Sequence, residues 1–163
     1  MATDAFFALA NLTLSVNQAT VTFSSISSAY RDLRVITQTT STTAGGGYVR
    51  FNNDSGANYN SNWAYGYGTT TQASAGAGTT SFQIAEMLDG NLDMSTWEIL
   101  DANVIDKHKT VMNRASSPLS GGVGAYALVG RYASTGSVTS IVFGATTGAF
   151  AAGSTFALYG RLA

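Results

Sequence analysis

Apolar and polar residues alternate along segment after segment of this 163-residue chain, and a period of two is the spacing that puts side chains on one face of a β-strand. In "ATVTF", Ala19 to Phe23, Val21 and Phe23 lie on one side and Thr20 and Thr22 on the other, as in a half-buried strand. The same period runs through 32–37, 47–52, 80–85, 96–101, 109–114, 125–132, 139–144 and 155–162. About nine or ten strands are therefore expected. The intervening "TTAGGG", "ASAGAG", "SPLSGG" and "STGS" read as turns and surface loops, because glycine relieves positive φ and Ser or Thr bond locally to the backbone. Only "QIAEMLDGN" competes as a helix, and at most one short helical turn is expected near 85–90.

Many short strands, glycine-rich turns and no long helical period indicate an all-β chain, an antiparallel sandwich or barrel rather than an α/β fold. A jelly-roll-like β-sandwich fits the strand number best. No composition shift or fixed repeat divides the sequence, so residues 1–163 are expected to form one domain. Cysteine is absent, which excludes disulfides and thiolate metal sites. Charged residues make up 10% of the chain, against about 25% in typical soluble domains, so hydroxyls and amides must cover the surface. Natural monomers protect sheet edges with Lys, Glu or Pro. With one proline and few charges, this chain is expected to hide its edges against other subunits. Its net charge of −1 draws it neither to phosphate backbones nor to anionic lipid, so no nucleic acid and no membrane are expected as partners. Asp4 stands where a secretory signal needs a basic segment, so export by a cleaved signal is not expected.

Catalytic chemistry finds little to work with. The single histidine, His108, sits in the basic "DKHKT" and reads as a hairpin surface residue; no G-x-S-x-G elbow supplies a serine for it to activate. Glu86, Asp89, Asp93, Glu98 and Asp101 contain enough carboxylates for a glycosidase pair, but they read as a solvated loop and strand face. "DGNLD" at 89–93 starts like a calcium loop and fails it, with Met94 at the sixth position and Leu100 at the twelfth. No enzyme activity, no metal site and no cofactor are expected. In "FNNDSGANYNSNWAYGYG", 51–68, the residues Asn52, Asp54 and Gly56 read as turn formers that end a strand. Tyr59, Trp63, Tyr65 and Tyr67 then fall at odd positions, which puts them on one face of a strand. Such a row caps its own core, contacts a partner protein or stacks on sugar rings, in that order of expectation.

Three stretches resemble a family of tailed-phage virion proteins built on a small all-β domain: "VTFSSISSAYRDLRV" (21–35), "VRFNNDSGANYNSNW" (49–63) and "SVTSIVFGATTGAFAAGSTFALYGRL" (137–162). Residues 64–136 match only in style, and Ser28 stands where the family pattern has proline. The resemblance implies a noncatalytic virion part with a jelly-roll-like sandwich, used on either head or tail. The first strand is expected to begin almost at Met1 and the last to end at Ala163, with no fibre segment. Such a chain suits a capsid decoration (cement) protein, made in the host cytoplasm, that binds major capsid protein on the outside of the head as a homotrimer. The alternative is a small tail or tail-fibre module contacting host surface glycans.

Overall fold

The computed structural model describes residues 5–87, 91–119 and 122–162. Among them the chain forms β1 (Phe6–Thr13), β2 (Thr20–Phe23), β3 (Tyr30–Thr40), β4 (Gly45–Phe51), β5 (Tyr59–Tyr67), β6 (Thr70–Thr79), β7 (Phe82–Met87), β8 (Leu92–Leu100), β9 (Lys109–Leu119), β10 (Gly122–Tyr132), β11 (Ile141–Ala145) and β12 (Thr155–Leu162), with no helix. All pairings are antiparallel. They build an eight-stranded sheet in the order β1, β12, β3, β8, β9, β10, β5, β6 and a four-stranded sheet in the order β2, β11, β4, β7. The two sheets pack as a sandwich around one core.

Without the hairpins β5–β6 and β9–β10, the remaining strands interleave as β1, β12, β3, β8 in one sheet and β2, β11, β4, β7 in the other. That is the double Greek key of a jelly roll. Both hairpins continue the large sheet past β8, so it extends well beyond its four-stranded partner. The last strand, β6, is exposed along nearly its whole length.

The twelve strands exceed the number that alternation alone indicates. "ASAGAG", expected as a connector, is the body of β6: its small residues carry no period to read, and the strand is held by its register on β5, from Tyr67↔Thr70 to Ser61↔Gly76. "TTAGGG" runs into β4 at Gly45, and "SPLSGG" gives residues 117–119 to β9. Residues 85–87 continue β7, while 88–90 lie outside the described residues.

The core has two aromatic centres. At one, Phe51, Tyr59, Phe82 and Tyr132 pack with ring centroids 4.9 to 6.5 Å apart; at the other, Phe143 and Phe156 join Trp97 and Phe150 at 5.3 to 6.2 Å. Burying each such ring contributes about 1.5–3 kcal/mol. Gly130 in β10 exists to admit one of them: a Cβ there would lie 2.5 Å from the Phe82 ring and 3.0 Å from the Asn60 carbonyl. Lys109 is fully buried, and its ammonium donates to the carbonyls of Val104, Lys107 and Thr135, which ties the β8–β9 connection to the segment after β10. Burial holds its pKa below the usual lysine range.

Candidate contact surface

The turn after β4 is a knot of hydrogen bonds. Asn52 and Asn53 take left-handed backbone, φ 54° each, which asparagine tolerates better than most residues. The Asn52 side chain does not bond its own turn. Its Nδ2 donates to the Ser137 carbonyl (2.8 Å), and its Oδ1 accepts from the Thr139 and Ser140 amides (2.8 and 3.2 Å). Asp54 closes the turn: Oδ1 accepts the Gly56 amide (2.7 Å), and Oδ2 accepts Asn58 Nδ2 (2.8 Å) and the Tyr132 hydroxyl (2.9 Å). The Gly56 amide above all, then Asn58, holds the Asp54 carboxyl below the usual carboxylate range. At Gly56 a Cβ would press against Asp54 Oδ1 and Asn58 Nδ2, each 3.0 Å away. These oxygens are spent on protein donors, so the loop seats the start of β5 against the core.

From that anchor the aromatic row runs outward along β5 on the core-facing side of the large sheet. Tyr59, expected among the contact residues, is 0% exposed and belongs to the core. Its hydroxyl donates to the Asp54 carbonyl (2.9 Å) and accepts the Phe51 amide (3.1 Å), and burial pushes its pKa up to about 12. Further along, Trp63 is half-buried at the margin of the core and stacks on Tyr65 (5.7 Å, 25°) and on Tyr126 of β10 (6.0 Å, 29°). The Tyr65 hydroxyl donates to Gln72 Oε1 (2.6 Å). Tyr67 ends β5, with its side chain outside the described residues. Tyr126 joins the stack because β10 pairs with β5 in the register Tyr126↔Tyr65. That nonlocal pairing leaves no local signal in "AYALVGRY".

The opposite face of the same strands carries mostly small residues, with Arg131 of β10 as its charged one. Ala125 and Ala127 of β10, Ala64 and Gly66 of β5, and Thr71 and Ala73 of β6 line a shallow trough of about 550 Å³. Val129 beside it is 57% exposed. No Lys, Arg, Asp, Glu or Pro occurs in Thr70–Thr79, so the free edge of β6 carries none of the groups that block strand addition.

The charged residues cluster elsewhere. Glu98 pairs with Arg34 (2.8 Å) and Arg114 (3.6 Å) on the outer face of the large sheet, whereas Asp93 is buried on the inner face of the same strand. Two carboxylates on opposite faces of β8 cannot flank one glycosidic bond. Asp101 pairs with Arg31 (2.8 Å) and Lys107 (3.8 Å); the Arg31 hydrogen bond, chiefly, holds its carboxyl below the usual range. Asp89 and the Glu86 side chain lie outside the described residues. His108 is exposed in the β8–β9 connection. Among the described residues no three His, Asp or Glu gather to hold a metal ion, and no helix is long and apolar enough to cross a membrane.

Fold and surface together define an all-β sandwich of jelly-roll topology with a one-sided sheet extension. Compared with protein-family models, curated proteins and solved structures, the chain finds no match.

Proposed function

We propose that this chain is a bacteriophage virion structural protein, a capsid decoration (cement) protein that binds the outside of the assembled head as a homotrimer. The observation that carries the reading is the extension of the large sheet: an unblocked β6 edge beside a shallow trough lined by small residues together with Tyr65, Gln72 and Tyr126. An edge of this kind calls for covering by another chain, and obligate interfaces commonly bury about 2,000 Å² or more. The likeness of 21–35, 49–63 and 137–162 to tailed-phage virion proteins supports the same reading. Decoration works by mass action: a protein that binds the assembled shell and not its separated subunits stabilises the shell as occupancy rises. No catalysis is needed for this, and the partners are further copies of the chain and the major capsid protein. Co-sedimentation with undecorated heads tests it. Saturable binding that raises the disruption temperature of the heads is expected; heads that neither bind nor gain stability overturn the reading.

A second reading, a tail or tail-fibre module that contacts host glycans, is favoured by the Trp63, Tyr65 and Tyr126 stack with Gln72 beside it. Binding on a glycan array that disappears in Trp63→Ala, with the fold intact, is the outcome this reading requires.

A further inference from the structure

A small cavity lies between the two sheets, where β3, β8 and β9 face β7 and β11. It measures about 20 Å³, room for a single water-sized occupant. On the large-sheet side it is lined by Thr37 and Thr39 of β3, Asp93 and Ser95 of β8, and Ser116 and Ser117 of β9. The registers Thr37↔Ser95 and Thr39↔Asp93 place four of them side by side, and Met94↔Ser116 brings Ser117 opposite Asp93. The rest of the lining is largely apolar, with Ile84 of β7, Phe143 of β11, Phe156 of β12 and Phe150. Ser95 is occupied, since its Oγ accepts from Trp97 Nε1 (3.0 Å) and shares a hydrogen bond with Thr37 Oγ1 (2.8 Å). Asp93 is different. It is 9% exposed, and neither of its carboxyl oxygens, nor Ser117 Oγ, makes a hydrogen bond of normal geometry.

We propose that this cavity is a binding site for one small monovalent cation, with the Asp93 carboxylate as counter-charge and the Ser117 hydroxyl among its oxygen ligands. An ionised carboxylate buried without a partner is costly, and a cation beside it removes most of that cost. The donors that the large sheet offers are hydroxyl and carboxyl oxygens, which suit an alkali ion rather than a soft metal. Calcium takes six to eight oxygens, commonly from several carboxylates, and a divalent ion here would leave net positive charge buried. A proton competes for the same place: burial pushes the Asp93 carboxyl up to about 6, eased in part by the Ser117 hydroxyl. The lining residues of β3, β9, β11 and β12 bring no other titratable group to it. Arg34, Glu98 and Arg114 belong to the outer face of the sheet. Glu86 is the one further carboxylate on β7, and its side chain is outside the described residues.

The test is thermal unfolding of the full chain at about 0.15 M ionic strength in sodium, potassium or tetramethylammonium chloride, near pH 8 and near pH 5, with Asp93→Asn, Ser117→Ala and Glu86→Gln alongside. At the higher pH, wild type is expected to melt about 2–4 °C higher in sodium than in tetramethylammonium. That difference should vanish in Asp93→Asn, shrink in Ser117→Ala, persist in Glu86→Gln and fade at the lower pH. Equal midpoints in all three salts overturn the proposal and leave a neutral acid beside a water. A sodium effect that survives Asp93→Asn, or that disappears only in Glu86→Gln, overturns it as well.

Discussion

Asp54 and Asp93 are two aspartates with opposite pH behaviour, and the difference lies in what surrounds each carboxyl. The Asp54 oxygens receive donors from Gly56, Asn58 and Tyr132, so its folded pKa falls below the ordinary value. Its contribution to stability is present above the unfolded pKa of 3.8 and is lost as pH falls through the folded value. Replacing it with Ala should cost about 2 kcal/mol near neutral pH, measured by denaturant unfolding. Asp93 runs the other way. Its folded pKa, about 6, lies above the unfolded 3.8, so burial costs nothing at low pH and destabilises progressively as pH rises through that window. With no small cation present, wild type should lose on the order of 3 kcal/mol between about pH 4 and pH 8 relative to Asp93→Asn. A stability profile parallel to that of the Asn variant would show that Asp93 is not buried as described. Gly130 acts through space alone: Gly130→Ala should cost about 1–3 kcal/mol by driving Phe82 from its place, as measured by denaturant unfolding.

Strands were legible where side chains alternate and illegible where they do not. Val21 and Phe23, or Val49 and Phe51, announce an inner face because burial selects large apolar residues at every second position. In Thr70–Thr79 no apolar side chain is large enough to record which face is which, and the strand exists through pairing with β5. The aromatic row was legible as a row on one face, but its division was not. Tyr59 is core and Trp63 only partly buried, a difference decided by what packs over β5 from other strands. The β6 edge carries the prediction for oligomer state. Ala73→Lys with Ala75→Lys should leave the stability of the isolated fold within about 0.5 kcal/mol, yet shift the mass seen by light scattering from trimer to monomer. An unchanged trimer would place the interface elsewhere.

Over the whole molecule, the all-β sandwich follows from strand number and turn chemistry, both local properties. The extension does not, because it depends on where β5–β6 and β9–β10 dock, and docking is decided by cross-strand registers such as Tyr126↔Tyr65. That extension carries β5 and β6 beyond the four-stranded sheet and leaves the β6 edge unpaired in the single chain. If the partner is a phage head, the protein must be abundant in the particle, since a shell offers many equivalent lattice points. The direct measurement is the copy number per virion, by quantitative mass spectrometry or a map of the particle. The account predicts on the order of hundreds of copies, comparable with the major capsid protein and arranged as trimers on the outer shell. Roughly three to eighteen copies, the number that a tail of three-fold or six-fold symmetry accommodates, would contradict it.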